Sequence, residues 1–450
     1  MRHIAQGASF AFLTLALLLS PSVFALTPGE NIVTQNIPAV PDTLVEEVGR
    51  YTEFRAATLS SWHPTKREML ISTRFADTSQ LHKVNAPGAA RQQCTFFKDS
   101  VTGGSYNPSQ GDYFVFTKDK GGDENFQKFR FDIASGDIKL LTDGTSRNTG
   151  GAWSHKGDRI AYQSNRRNKK DMDIYMLSPD KNAESHLLAE MEGGGWTVMD
   201  WSYDDTRLLV LEYVSINESR LWSMNAETGK KTLLTKEAGS TPVSYSGGVF
   251  APDDNYIYTT TDRDSEFLRL TRLNIKTQEA QCLTAKINWD IDDFALSDDG
   301  KRLAYTSNED GISVLHLMNT TNLKDQIVQI PSGSVHGLQW HKNNKDLGFV
   351  LETARYPADV YSLNADSQQV ERWTFSETGG INTTNFSDAE AIHWKSFDGK
   401  VISGLLYKPA KRFKGKRPVI IDIHGGPEGQ STVGFLGRYN YYLNELGIAI

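Results

Sequence analysis

The sequence predicts an all-β ring of seven similar units, followed by the beginning of an α/β domain. Three observations lead to this fold class. One pattern recurs every ~45 residues between positions 62 and 340, and each copy contains several short β-rich runs. A buried-strand run that ends in a glycine turn then follows near position 420.

Each unit opens with an apolar residue, called an anchor below, that precedes a polar turn. The clearest copies read AWSHKGDRIAYQS from Ala152 and ALSDDGKRLAYTS from Ala295. The anchors are Trp62, Tyr106, Trp153, Trp201, Phe250, Leu296 and Trp340, at intervals of 44, 47, 48, 49, 46 and 44 residues. A period of this length with several strands per unit is typical of a β-propeller, and an array of β-sandwiches would not keep so regular a period.

Four strands are expected in every unit. Asp, Asn, Gly and Pro after each anchor favour a tight turn, and a β-rich second strand such as Leu303-Ala-Tyr-Thr306 follows it. Two further short runs complete the unit before the next anchor. We therefore predict one closed ring of seven blades over residues 57–380.

The segment ahead of the ring, residues 26–56, contains one predicted helix. Asp42 is expected to cap a helix over residues 43 to about 57, with Glu46 and Glu47 near its positive end. Leu44, Val48 and Tyr51 fall on one stripe of that helix. The helix is predicted to lie outside the ring.

The first 25 residues have the pattern of a signal peptide. Arg2 supplies the positive charge, residues 11–19 are apolar, and the small residues that end at Ala25 suit cleavage. An uncleaved anchor is disfavoured because the apolar stretch is shorter than the ~20 residues that cross a bilayer. We expect export, to the periplasm in a Gram-negative host, and no membrane association after cleavage.

Size and charge fit a large globular protein. The chain has 450 residues, of which 38% are hydrophobic and 23% charged, so more than one domain is expected. A net charge of −7 argues against nucleic-acid binding, which needs clustered excess cations. The basic run over residues 411–417 is interpreted as a solvated loop.

The two cysteines, Cys94 and Cys282, each follow the anchor of their own unit by 32 residues. Equivalent positions in non-adjacent blades lie farther apart than a disulfide tolerates. We expect both thiols to be unpaired. Metal and cofactor binding find no support, because the metal-ligand spacings and the glycine fingerprints for phosphate are missing.

A different architecture is predicted for residues 381–450. Asp398-Gly399 signals a hairpin, residues 419–423 form a continuous apolar run typical of a buried parallel strand, and a helix is expected over residues 439–446 with Gly447 ending it. His424, Gly425 and Gly426 follow the apolar run directly. Glycines there let backbone N–H groups point at a developing negative charge, as in the oxyanion loop of α/β-hydrolases.

A propeller followed by the HGGPEGQ sequence of residues 424–430 resembles the prolyl oligopeptidase family of serine peptidases, especially its acylaminoacyl-peptidase and dipeptidyl-aminopeptidase branches. The resemblance covers everything after the signal peptide. It implies a Ser-His-Asp triad on an α/β-hydrolase domain, capped by a propeller that admits peptides and excludes folded proteins. The chain contains no G-x-S-x-G, and Ser431 lacks the preceding strand that exposes a nucleophile.

We therefore expect residues 381–450 to be the N-terminal part of a peptidase domain whose triad lies beyond position 450, and the chain alone to be inactive. The oxyanion candidates are His424, Gly425 and Gly426. The simpler alternative is that these residues form a Gly-Gly turn that only redirects the chain.

The resemblance also implies acidic residues for a substrate ammonium group and an arginine near the substrate carbonyl. Asp123, Glu124, Arg166 and Arg167 lie in loops of blades two and three and are candidates, although solvated hairpin tips have the same composition. His393 is interpreted as a half-buried surface histidine of an alternating strand.

Two functions remain open at this point. The first is an exported peptidase that hydrolyses oligopeptides through an acyl-enzyme, with exopeptidase and endopeptidase modes both open. The second is a non-enzymatic propeller similar to TolB-type binding proteins, which binds a protein or a glycan and carries a relic of a hydrolase. Neither residue preference nor oligomeric state follows from the sequence.

Overall fold

The computed structural model describes residues 26–180, 185–235, 241–426 and 429–450. The predicted signal peptide, residues 1–25, lies outside them. Within the described residues, no helix is long and apolar enough to cross a membrane.

Seven four-stranded antiparallel sheets form blades 1 to 7, and the prediction of seven blades is confirmed. The strands of blades 1 to 4 are β1 Ala57–Trp62, β2 Met69–Thr73, β3 Gln80–Val84, β4 Gln92–Gln93, β5 Val101–Tyr106, β6 Tyr113–Lys118, β7 Gln127–Asp132, β8 Ile138–Leu140, β9 Asn148–Trp153, β10 Ile160–Ser164, β11 Asp173–Leu177, β12 Ser185–Ala189, β13 Trp196–Trp201, β14 Arg207–Ser215, β15 Glu218–Asn225 and β16 Lys231–Leu233. Those of blades 5 to 7 are β17 Tyr245–Phe250, β18 Tyr256–Thr261, β19 Arg269–Asn274, β20 Ala280–Cys282, β21 Ile291–Leu296, β22 Arg302–Glu309, β23 Ile312–Asn319, β24 Asp325–Ile327, β25 Ser334–Trp340, β26 Asp346–Glu352, β27 Asp359–Asn364 and β28 Gln369–Arg372.

The first strand of each blade is the innermost one, because the first strands of neighbouring blades come into close contact at five of the seven seams. Every predicted anchor is the last residue of such a strand, so the seven anchors occupy equivalent places. The strands of the ring end at Arg372, and the division of the chain at residue 380 stays a prediction.

Tryptophan anchors join neighbouring blades. The indole Nε1 of Trp201 donates to the Ala152 carbonyl at 2.9 Å, and Trp340 donates to Ala295 at 3.0 Å. Each acceptor directly precedes the anchor of the previous blade. Trp62 makes the same bond to Gln339 at 3.1 Å, so the contact between blades 7 and 1 is built like the others.

The ring closes without strand exchange, since every sheet consists of four consecutive strands. The seam between blades 7 and 1 is apolar: Leu59, Trp62, Val350 and Trp373 belong to one buried cluster. Side-chain packing, the Trp62 bond, a backbone bond from Ala57 N–H to the Ala358 carbonyl at 2.8 Å and the ion pair of Arg67 with Asp346 together hold the ring shut.

The turn after the anchor explains its Asp, Asn and Gly residues. Asp205, Asp254 and Asn344 have φ of 58°, 54° and 59°, a left-handed conformation that Asp and Asn tolerate better than most residues. The Asp205 carboxylate accepts the backbone N–H of His155 at 2.7 Å, in the turn of the preceding blade. The turn residues thus add a second connection between blades.

The N-terminal helix α1 spans Asp42–Thr52 and ends five residues earlier than predicted. Asp42 lies in its first turn and does not cap it, because Pro41 occupies the N-cap position and no side chain caps it. The helix ends there because the chain becomes extended, with Phe54 bridging Thr378 antiparallel. Of the predicted stripe, Tyr51 is buried against Phe386 and Tyr441, whereas Leu44 is exposed.

Downstream of the ring, β29 (Ala389–Lys395) and β30 (Val401–Tyr407) form the predicted hairpin, with Gly399 at φ 85° in its turn. The predicted strand over residues 419–423 is not formed: Val419 makes one isolated parallel bridge to Ala449. A strand requires a ladder of consecutive bridges to a neighbour, and Val419 to Ala449 is the one bridge of this run among the described residues.

The predicted helix over residues 439–446 was wrong in type. The chain forms a 3₁₀ turn at Gly437–Tyr439 and a π-helical turn at Tyr442–Leu446. Gly447 ends it in the left-handed conformation, as predicted, with φ 65°. The described residues of this segment do not form an α/β-hydrolase domain.

Cys94 lies just after β4 in blade 1, and Cys282 ends β20 in blade 5. Both thiols are free. Burial raises the pKa of the Cys94 thiol to about 11.

Replacing Trp201 by Phe should lower the free energy of unfolding by about 2 kcal/mol, because the buried Ala152 carbonyl loses its donor and the smaller ring leaves a void. Trp394, which is 49% exposed in β29, provides the matched control. Trp394→Phe should change stability by less than about 0.5 kcal/mol. Urea unfolding followed by circular dichroism measures both, and equal effects would contradict the role assigned to the indole bond.

Candidate functional site

One face of the ring carries the turn between the second and third strands of every blade; it is called the hairpin face below. The segment after the ring lies on this face, over blades 6 and 7. Val433 N–H donates to the Gly311 carbonyl at 2.8 Å, and the Ser334 hydroxyl donates to Val433 O at 2.6 Å. Phe435 N–H donates to the Glu352 carboxylate at 3.1 Å, and burial raises the pKa of Glu352.

His424, Gly425 and Gly426 lie in an exposed loop at this face. Gly426 has φ 126°, a conformation that side chains rarely adopt, and His424 Nδ1 lies 3.2 Å from the Gly425 carbonyl oxygen. The apolar run that precedes the loop is exposed: Val419 57%, Ile420 39%, Ile421 77% and Ile423 79%. The oxyanion role of these residues therefore stays a prediction.

The end of this loop is attached to blade 6. Asn308, at the end of β22, donates from Nδ2 to Gln430 Oε1 at 3.2 Å. The backbone of Ser431 lies against Gly311 at the blade 6 turn, a place with no resemblance to a nucleophile elbow. Gln430 and Ser431 are thus held at the edge of the ring nearest to blade 6.

Asp123 and Glu124 form a hairpin tip of blade 2, on the same face but three blades away from blade 6. The Asp123 carboxylate accepts the Asn125 N–H at 2.9 Å, which lowers its pKa. Glu124 has φ 58° and pairs with Arg147 at 3.4 Å. Both carboxylates stabilise the turn, and the structure does not bring them near His424.

Arg166 and Arg167 lie in the corresponding turn of blade 3. Arg167 binds Asp173 with Nε at 2.8 Å and Nη2 at 2.9 Å, and these hydrogen bonds raise the pKa of the guanidinium. The Asp173 side chain is fully buried. Arg166 is more exposed, with its Nε 3.8 Å from Asp143. Arg167 is therefore committed to a structural ion pair.

His393 lies on β29 and is exposed, contrary to the half-buried position expected for it. Its Nε2 is 3.1 Å from the Asp310 carboxylate in the blade 6 turn. This pair joins the hairpin to the ring and involves none of the candidate site residues.

A recess of about 1060 Å³ lies between the end of α1, the linker near Ile381 and the stretch before residue 412. Four of its charged groups form two ion pairs: Arg355 binds Asp388 at 2.6 Å, and Arg412 binds Glu445 at 2.7 Å. The side chains that line it include no histidine or cysteine. Within the described parts of the chain, no cluster of three or more His, Cys, Asp or Glu could hold a metal ion.

A set of residues on the innermost strands was not predicted from the sequence. Four positions before each anchor stand Thr58, Thr102, Thr149, Thr197, Ser246, Asp292 and His336, called the collar below. All are exposed apart from the half-exposed Thr149. Neighbouring blades cover both faces of an innermost strand, so exposure there means exposure to the central channel. The period between anchors already contained this signal, because equal offsets from the anchors give equivalent positions.

Comparison with known proteins gives structural likeness without sequence likeness. No protein-family model and no curated protein matches the chain. A structure from work on two prolyl endopeptidases superposes with TM-score 0.73 at 15% identity, covering 90% of this chain and 62% of that one. Prolyl oligopeptidase B from Galerina marginata, bound to a 35mer hydrolysis and macrocyclization substrate, gives 0.73 at 10% identity, with 89% and 61% covered. Puromycin hydrolase with a bound ligand gives 0.73 at 15% identity, with 90% and 67% covered.

The fold is that of the propeller-containing part of prolyl oligopeptidases, and the predicted resemblance is confirmed at that level. The chain spans about three-fifths of the first two of these structures.

Replacing Arg167 by Met should lower the urea midpoint of unfolding, because it leaves the buried Asp173 carboxylate without its cation. Arg166→Met, the adjacent control, should shift the midpoint much less. If the two variants are equally stable and either binds peptides more weakly, the result would support a role for these arginines in substrate binding.

Proposed function

We propose that this chain is the propeller and the first part of the catalytic domain of an exported serine peptidase that hydrolyses oligopeptides through an acyl-enzyme. The observation that carries the proposal is the location of the loop at His424. It follows an exposed apolar run and is tied to blade 6 through Asn308 and Gln430. A catalytic loop in that place faces the ring through which substrates would be selected by size.

The loop would stabilise the negative charge that acyl transfer builds on the carbonyl oxygen. Gly426 offers a backbone N–H in a conformation without a Cβ, and the His424 side chain offers a ring N–H. The nucleophile, its base and the orienting acid are proposed to lie on the continuation of the catalytic domain. The exposed apolar side chains of residues 419–423 support this, because a continuous run of large apolar side chains is normally covered by other parts of a protein.

The ring would act as a filter in front of the loop. Seven blades joined side to side by anchors form a rigid wall, so folded proteins would be excluded while extended peptides could reach the catalytic groups. Exopeptidase and endopeptidase action both agree with this arrangement.

The test of the function is labelling of the complete gene product with a fluorophosphonate probe, which reacts with activated serines. We expect labelling of a serine in a G-x-S-x-G sequence and hydrolysis of short peptides. A complete product that neither reacts nor cleaves peptides would favour the alternative of a binding propeller.

In the complete enzyme, His424→Ala or Gly426→Val should lower turnover by about a hundredfold to a thousandfold, the value of one oxyanion donor at roughly 3 to 4 kcal/mol. The Michaelis constant should change little, because the interaction exists mainly in the transition state. Steady-state kinetics on one peptide measures both quantities. Near-normal turnover with reduced thermal stability would instead show a structural Gly-Gly turn.

Export is part of the proposal and rests on the first 25 residues. Mass spectrometry of the mature protein should give Leu26 as the first residue, because the small residues of the cleavage site end at Ala25. Recovery of the protein with Met1 intact from the cytosol would contradict export.

A further inference from the structure

The collar is uniform in five of its seven positions. Blades 1 to 5 contribute hydroxyl groups, from four threonines and Ser246, whereas blade 6 contributes Asp292 and blade 7 contributes His336. Asp292 is thus the one carboxylate in a ring of equivalent, channel-facing side chains. A single charge among neutral hydroxyls sets the sign of the field that a passing peptide meets.

Asp292 is exposed to the channel and yet closely surrounded by protein. Burial raises its pKa to about 6, with a further contribution from Asp290 and Asp293. These two neighbours are occupied elsewhere: Asp290 accepts the Leu268 N–H at 2.7 Å, and Asp293 accepts the Leu338 N–H at 3.0 Å. Exposure together with desolvation is what a narrow passage produces, where a charge acts more strongly than on an open surface.

Asp292 is also connected to the proposed catalytic loop. The Asn308 side chain lies beside the Asp292 carboxylate and opposes the rise of its pKa, and its Nδ2 donates to Gln430 Oε1 at 3.2 Å. One amide therefore separates the channel carboxylate from the end of the loop that starts at His424. Gln430 and Asp292 are therefore neighbours of the same side chain at the mouth of the channel.

The collar histidine does not cancel this charge. Burial lowers the pKa of His336, which keeps its imidazole neutral at pH 7 and above. The carboxylate that acts on it is Asp293, and not Asp292. At neutral pH the collar thus carries one negative charge and no positive charge.

We propose that Asp292 is a specificity-determining residue that makes the channel favour peptides with a positively charged side chain over peptides with a negatively charged one. The effect on catalysis rests on the proposed function, whereas the charge preference in binding is a property of the ring itself. It concerns side-chain charge and does not depend on a free α-amino group.

The test uses N-acetylated peptides that are identical except for Lys, Gln or Glu at one position, so that no α-ammonium contributes. Fluorescence anisotropy at pH 7.5 and low salt gives their affinity for the mature chain that begins at Leu26, and kcat/KM is measured on the complete enzyme. We expect the Lys peptide to be preferred about tenfold over the Glu peptide, which corresponds to one charge–charge contact of intermediate strength. This preference should decrease as salt is added.

Asp292→Asn should reduce this preference to about twofold or less, because the neutral amide neither attracts a positive side chain nor repels a negative one. Asp298→Asn is the matched control, because it removes the same charge from the turn at the opposite face of blade 6 and should keep the preference. Lowering the pH through about 6 should weaken the preference in the wild type, since the protonated carboxyl carries no charge.

A wild type that binds Lys and Glu peptides equally, or an Asp292→Asn variant that keeps the full preference, would overturn the assignment. Circular dichroism of the variant checks that its fold is intact. If the complete enzyme hydrolyses nothing while the binding preference and its loss in Asp292→Asn are both observed, the peptidase proposal fails and the assignment of Asp292 stands.

Discussion

The bond from an anchor indole to the carbonyl that precedes the anchor of the previous blade holds neighbouring blades in register. Trp201, Trp340 and Trp62 make it at three seams, including the seam where the ring closes. Because each sheet uses four consecutive strands, no shared strand secures the closure. The ring therefore depends on these contacts and on the apolar packing around them, and the channel, the collar and the hairpin face all inherit their geometry from it.

The period of the anchors made the ring predictable, because equal spacing in the sequence gives equivalent places in space. The collar could have been predicted from the same period, but it was missed. No chemical motif marks its residues, and they are found only by taking equal offsets from the anchors. The role of Arg167 could not be predicted from composition, because a turn with these residues resembles a solvated hairpin tip. Its buried partner Asp173 lies six residues away on the next strand. The strand over residues 419–423 was mispredicted because strand formation depends on neighbours, which a local pattern does not contain.

The segment after the ring contacts it unevenly. Its bonds fall on blades 6 and 7, through Gly311, Ser334 and Glu352, whereas the candidate turns of blades 2 and 3 lie on the far side of the hairpin face. The chemistry that we propose is therefore concentrated at one edge of the ring, where the loop at His424 and the collar carboxylate share Asn308 as a neighbour. The rest of the ring supplies walls and neutral hydroxyl groups.

The contacts of α1 set an order in time for the folding of this protein. The helix has 11 residues, too few to be stable alone in water, and Tyr51 and Glu47 bond with residues that follow them by 394 positions. Synthesis at ~5–20 residues per second delivers those partners roughly 20 to 80 seconds later. All seven blades can emerge and close during that interval, so the first helix of the chain is among the last elements to reach its final place.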